Sequence, residues 1–564
     1  MASHSKGINN MSTKPHNDHH FDVCIVGAGP AGLAVLSAIH APYSLDGSVH
    51  TEAQRERAIR SLNNKQKLRV CVIDIGHGWL TSWKKNFDRL GIQHLRSPAL
   101  AHPDMFDPNA LLTYAVMNGR DDELIESGCG DIKSLEGLGQ TQVGLWKLPS
   151  TSLFVDFCDD LARSSSLPHM FFGGTSVLDI YQETGPAKKS KSSMFELTLR
   201  RDDTSEPLSE FKVTAGSVVL AVGPTGRPII PPSIENVPKW RFWNQPLVPS
   251  EDKENLTELP VLVVGGGLTA IQVALQEVER NKHRQGSVIL CSKRPLVSRH
   301  FDIPVDWFST RTMNKCMAEL FYDRPIIERV ISLKEARGGG SIPPMYMDQI
   351  RRAEQDGSLR CVVGDIEYDG DTSNFGSTLG GTMISVKGND GDDPDDGTDN
   401  DTVLHFEVKD IILACGLQPT CGTSDCPPTS LIGKVQSRWP AQCEGGLPCI
   451  TQDLRWKDGL DLFVVGALAA LNGGPDAGNV MGMRRASQLV ANALDCHSWL
   501  RETALVNPFA AFGDDDSSDD DSDAGVDPTE FVGCETLIDI DKDGLDSSTE
   551  TESSSDCSCS TCSQ

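Results

Sequence analysis

At 564 residues and 38% hydrophobic content, the chain is long enough for two or three domains with substantial cores, and its 51 glycines suit an α/β protein better than a coiled coil or fibre. The formal net charge of −28, with 17 acidic residues against one lysine beyond Gly513, argues against nucleic-acid binding through a basic face. No run of about 18 apolar residues occurs, so no transmembrane helix is expected.

Residues 1–20 are polar, lack the apolar core of a signal peptide and read as a disordered lead, in spite of His16, His19 and His20. The run Phe21–Val26 then predicts a strand, and Gly27-Ala28-Gly29-Pro30-Ala31-Gly32 follows it directly. Each glycine of such a fingerprint has a task. The first lets strand turn into helix, the second leaves space for a pyrophosphate, and the third allows close helix–strand packing and tolerates Ala. A charged stretch, Thr51–Lys67, reads as an insertion or extended helix before the next strand, Leu68–Asp74. Asp74 at that strand's end is the candidate to grip a ribose, although it lies farther on than the usual spacing of about 20 residues. The stretch Pro98–Gly144 carries no diagnostic pattern.

A buried strand is expected at Gly216–Gly223, stopped by Pro224, with a Pro-rich crossover at Pro228–Pro232. The second fingerprint, Gly265-Gly266-Gly267-Leu268-Thr269-Ala270, follows the apolar run Val261–Val264. Here the next strand, Ser287–Cys291, ends in Ser292-Lys293-Arg294. Cations replace the carboxylate, which suits a 2′-phosphate and so NADPH over NADH. An Asp/Gly/Asn-rich surface loop is expected at 388–401, and strands at Asp410–Leu413 and Leu462–Val465. Gly473–Asn479 then leads into a helix from about Val480 to Leu494.

Beyond Asn507 the chain is too rich in Asp and Ser to build a core. Asp539–Glu550 fits a calcium-loop pattern, and Cys557, Cys559 and Cys562 cluster near the end, but both read as parts of a solvated acidic tail. Cys421 and Cys426 have the spacing of a redox pair, yet fall after the second domain's closing strand. The 17 scattered cysteines fit free thiols in a reducing compartment, so a cytoplasmic protein is expected, and no metal site.

Over about residues 21–500 these features resemble the two-dinucleotide flavoproteins, and among them the class B flavin monooxygenases. The segment Ser82–Leu95, with Trp83, Asp88-Arg89-Leu90 and His94-Leu95, is similar to the Trp…Asp-Arg-Leu…His-Leu segment of YUCCA-type enzymes. Leu413–Leu417 is similar to that family's Ala-Thr-Gly motif, and Gly466–Arg485 to its closing flavin-binding strand and helix. N-hydroxylating ornithine/lysine monooxygenases and the oxidative-stress-induced growth inhibitor proteins share the plan.

The resemblance implies an α/β fold of two Rossmann-like three-layer domains. The FAD-binding domain would comprise 21–245 and 411–505, the inserted NAD(P)H-binding domain 258–410, and an acidic tail 506–564. Gly27, Gly29, Gly32, Asp74, Gly223, Gly466, Gly478 and Asn479 would hold FAD. Gly265, Gly267, Ala270, Lys293 and Arg294 would hold NADPH, and Trp83, Gln93, His94 and Arg96 would stand beside the flavin or nicotinamide. NADPH would reduce the flavin, and a flavin C4a-(hydro)peroxide formed with O2 would oxygenate a small-molecule amine, thiol or carbonyl. Phe242–Ser250 lacks the Gly and His of the monooxygenase fingerprint, which speaks against Baeyer–Villiger chemistry. A reductase or oxidase without oxygenation, and a regulatory flavoprotein acting through protein partners bound by the acidic tail, stay open.

Overall fold

The computed structural model describes residues 20–41, 68–127, 146–182, 194–202, 210–237, 240–245, 258–307, 312–368, 382–388 and 403–494, all within the unit Met1–Pro508. Thr51–Lys67, the calcium-like pattern and the three terminal cysteines lie outside these residues, as do His16 and His19.

The first sheet is built on β1 (His20–Val26), which pairs in parallel with β2 (Val70–Ile73) on one side and with β3 (Glu210–Leu220) on the other. Helix α1 (Pro30–His40) follows β1, opened by Pro30 in its first turn, where a missing N–H costs nothing. β2 is buried along its whole length, and the last four residues of β1 are buried too. Both faces of the sheet are covered, so apolar residues run continuously rather than alternating. The outer half of β3 continues as an antiparallel ribbon with Phe195–Arg201 and Thr175–Gln182.

The second sheet repeats the plan. β4 (Val261–Val264) pairs in parallel with β5 (Val288–Ser292) and with β6 (Asp410–Leu413). Helix α2 (Leu268–Arg280) follows β4. The sheet extends through Leu359–Glu367 into an antiparallel hairpin, Thr382–Gly388 with Val403–Val408, which flanks the acidic loop expected at 388–401. β6 spans the boundary placed at 410/411 from the sequence, and its pairing belongs to the second sheet.

The chain passes between the sheets twice. Arg227–Pro228 carries it out and Leu417–Gln418 brings it back, and these two segments pair antiparallel with each other. The return ends in β7 (Leu462–Val464), parallel to β3 in the first sheet, and in α3 (Val480–Ala493), which packs on α1. Among the described residues no helix is long and apolar enough to cross a membrane.

Candidate functional site

The two glycine turns are built alike. Gly27 (φ +114°) and Gly265 (φ +147°) adopt a backbone that L side chains rarely take. A Cβ on Gly27 would collide with the carbonyl of Ala221, and one on Gly265 with the carbonyl of Ala414. Those carbonyls belong to residues that close the neighbouring strands: Ala221 N–H donates to Val26 O and Ala414 N–H to Val264 O, both at 2.8 Å. The third positions are tight: a Cβ on Gly32 would strike Gly27 O, while Ala270 fills its place, fully buried. The middle glycines differ from the rest, because a Cβ on Gly29 or Gly267 would meet nothing within 4 Å. Gly29 and Gly267 are also the N-cap residues of α1 and α2. No side chain caps either helix, and neither first turn holds an acidic residue. Each turn therefore offers an open cradle, backbone N–H groups and a positive dipole end to an anion. Gly223 and Gly416, each two residues beyond the carbonyl that abuts the turn, likewise face open space.

Asp74 sits beside the first cradle. Its Oδ2 accepts from the Ala28 N–H at 2.7 Å and its Oδ1 from the Gly76 N–H at 2.6 Å. The carboxylate thus holds the fingerprint loop in place, and each oxygen keeps further acceptor capacity for a ribose hydroxyl. At the second cradle Lys293 forms an exposed ion pair with Asp365, Nζ to Oδ1 3.2 Å. Arg294 lies over Gly339 and Arg299 over Gly338. Gly338-Gly339-Gly340 all have positive φ, and a Cβ on Gly340 would stand 3.0 Å from the Cα of Gly267. This triple-glycine loop and Arg299 were missed in the sequence, where the only signal was three consecutive glycines.

The segment expected to stand beside the flavin or nicotinamide spans the two cores. Trp83, half-buried, stacks on Phe87 at 3.6 Å between ring centroids and tilts against Phe154 at 5.5 Å, packing on the first sheet's core. Leu90 belongs to the second sheet's core. Gln93 is exposed, and its carbonyl accepts from Thr151 N–H at 2.8 Å. His94 is bridged to Ser150; burial lowers its pKa, and the charge of Glu123 opposes that shift.

Arg96 is held by the chain's own backbone. Its Nε donates to His300 O at 2.8 Å, Nη1 to Ser341 O at 2.9 Å, and Nη2 to both Arg299 O at 2.8 Å and Ser341 Oγ at 2.9 Å. These donors serve the chain itself, fastening the segments on either side of the triple glycine. Burial brings the guanidinium down to about 10, with Asp302 opposing the shift.

The closing segment meets the second domain at a further cluster. Gly466 opens the turn after β7, and Gly478 lies where a Cβ would stand 3.2 Å from Arg337 Nη2. Asn479, the N-cap of α3, donates from Nδ2 to Asp302 Oδ1 at 3.2 Å, and Asp302 pairs with Arg337 at 3.1 Å. Asp476 is 2% exposed and its Oδ1 has no hydrogen-bond partner among the described residues. Burial pushes its pKa up to about 7, against the pull of Arg485 and Asn479.

No protein-family model matches the chain, and no curated protein matches it. Solved structures do. The ornithine N-hydroxylase KtzI of Kutzneria sp. 744, in its FADred–NADP+–L-orn form, is 15% identical with a TM-score of 0.55, covering 85% of this chain and 100% of its own. Ornithine hydroxylase PvdA of Pseudomonas aeruginosa gives 16%, 0.54, 84% and 98%. The FAD-bound cadaverine monooxygenase DfoA of Erwinia amylovora gives 14%, 0.52, 84% and 94%. The chain has the two-Rossmann-domain flavoprotein fold. Both turns, with their open middle glycines, thus stand on the fold of which KtzI, with FADred and NADP+, is one solved example.

Proposed function

We propose that this chain is an FAD-dependent, NADPH-reduced monooxygenase acting on a small-molecule amine with O2. The observation that carries the proposal is the pair of matched cradles at Gly29 and Gly267 on this fold. The similar solved structures include ornithine and cadaverine oxygenases, which favours an amine over a thiol or carbonyl.

FAD would lie on the first cradle, its pyrophosphate at Gly27, Gly29 and Gly32 and the N-terminus of α1, with Asp74 toward the ribose. Gly223, Gly466, Gly478 and Asn479 would line the rest of its path. NADPH would lie on the second, at Gly265, Gly267 and Ala270, with Lys293, Arg294 and Arg299 toward its 2′-phosphate. Bound FAD, reduced by NADPH, supplies the oxygen-activating chemistry that the side chains lack. The chain's own part is to bind, orient and exclude water, with Trp83 closing the first core near the site and His94 and Gln93 at its margin. Every described cysteine is a free thiol, which accords with a reducing, cytoplasmic setting. The acidic tail is our candidate arm for a protein partner, on charge alone.

The test is to reconstitute the full chain with FAD, reduce it anaerobically with NADPH, admit O2 with a panel of diamines and basic amino acids, and assay hydroxylated amine by mass spectrometry. A hydroxylated product formed in step with NADPH consumption is expected. Reduction followed by stoichiometric hydrogen peroxide with every amine would overturn the oxygenase reading in favour of an oxidase.

A further inference from the structure

The lobe entered after the returning crossover contains Cys421, Cys426, Cys443 and Cys449, none of them in a disulfide. Spacing in the sequence pairs Cys421 with Cys426. The fold instead sets Cys421 against Cys443, with the two sulfurs 3.7 Å apart. The local backbone accounts for this. Cys421 N–H donates to Gly446 O at 3.0 Å, which draws the segment onto the turn of the hairpin that carries Cys443 opposite Pro448. A Cβ on Gly422 would stand 2.6 Å from Cys443 Cβ and 2.7 Å from its sulfur. Only a glycine there lets the Cys443 side chain lie down beside Cys421.

The two thiols are unequal. Cys421 is 1% exposed and belongs to the first sheet's core, while Cys443 is half-buried at that core's edge. The sulfur–sulfur contact holds Cys443 below the ordinary thiol range and raises Cys421. A partly accessible sulfur with a lowered pKa is the one an oxidant reaches, and the sealed neighbour is the one that completes the reaction. Cys24 and Cys71 also face each other, across β1 and β2, but both are fully buried and out of an oxidant's reach.

We propose that Cys443 and Cys421 form a peroxide-oxidisable dithiol site, in which Cys443 takes the oxidant and Cys421 closes the disulfide. The Cys443 thiolate attacks one oxygen of hydrogen peroxide: an S–O bond forms, the O–O bond breaks, and hydroxide leaves as water after taking a proton. Cys421 then attacks the Cys443 sulfur: the S–S bond forms, the S–O bond breaks, and the second water carries off the Cys421 proton. Two thiols are oxidised and one peroxide is reduced to two waters. The bond would fasten the chain just after Leu417–Gln418, one of the paired crossover segments, to the 443–448 hairpin. The site needs no flavin chemistry, so it stands or falls separately from the proposed function.

The test uses the full chain, fully reduced and desalted, treated with about two equivalents of hydrogen peroxide, alkylated and mapped by peptide mass spectrometry. A Cys421–Cys443 cross-linked peptide should form about tenfold faster than Cys426 or Cys449 is oxidised. C421S should leave a sulfenic acid on Cys443, trapped by dimedone, and C443S should leave Cys421 reduced. The proposal is overturned if wild-type Cys421 and Cys443 remain alkylatable after Cys426 and Cys449 have reacted. A cross-link from Cys443 to either of those residues would overturn it too. The wild-type map decides the matter even if a variant fails to fold.

Discussion

Gly340 rests on Gly267 so closely that a single added methyl would lie 3.0 Å from the Gly267 α-carbon. One loop thereby frames the cradle formed by another. With φ at +106°, Gly340 also holds a backbone that an L residue adopts only at a cost of about 1–3 kcal/mol. Gly340→Ala should therefore push the triple-glycine loop off its seat. NADPH affinity is expected to fall about tenfold, with FAD content unchanged. Titration of the FAD-loaded variant with NADPH checks this, and an unchanged Kd would show that the loop does not shape the cradle.

Arg96 ties together the segments that flank the same loop. Arg96→Met leaves the carbonyls of Arg299, His300 and Ser341 without their donor, which should cost about 2–4 kcal/mol in urea unfolding. Arg96→Lys should recover less than half of that loss, because an ammonium cannot reproduce the planar fork that reaches three carbonyls at once.

The two cations after β5 should separate in their effects. Lys293 is exposed and paired with Asp365, so Lys293→Ala should change stability by no more than about 0.5 kcal/mol. Arg294→Ala is expected to lower the preference for NADPH over NADH by about 10–100-fold in kcat/KM, chiefly through the KM for NADPH. Urea unfolding checks the first expectation and steady-state kinetics with both nucleotides the second.

Much of this architecture was legible because parallel strands buried on both faces appear as unbroken apolar runs. Val261–Val264 needs no partner to be recognised, and the glycines after it have a spacing that a phosphate-binding turn demands. The helix expected from about Val480 to Leu494 is α3, Val480–Ala493. What stayed hidden depends on distant contacts. Nothing near Arg96 indicates that its partners are Arg299, His300 and Ser341, some 200 and more residues away. The same holds for Asp302 meeting Asn479 and for Cys421 meeting Cys443 rather than Cys426. The triple glycine was visible, but its role is fixed only by the loop it touches.

Asp476 gives a pH dependence whose sign is fixed by its burial. The folded chain holds the proton up to about pH 7, whereas the unfolded chain releases it near the ordinary value of about 4. Folding thus takes up a proton across this window, and the contribution to stability falls as pH rises from about 4 to 7. Asp476→Asn should remove that slope, gaining up to about 4 kcal/mol relative to wild type between pH 4 and 8. Parallel pH slopes in chemical denaturation of the two proteins would contradict it.

The central claim is that each glycine turn holds its own dinucleotide, and calorimetric titration of three proteins tests it most directly. Wild type should bind one FAD and then one NADPH. A methyl at either middle glycine meets no protein atom within 4 Å, so Gly29→Ala and Gly267→Ala should fold with stability within about 0.5 kcal/mol of wild type. Gly29→Ala should lose FAD, while FAD-loaded Gly267→Ala should keep FAD and lose NADPH by about 10-fold or more. Equal loss of both nucleotides in either variant, or wild type that takes up no FAD, would contradict the account.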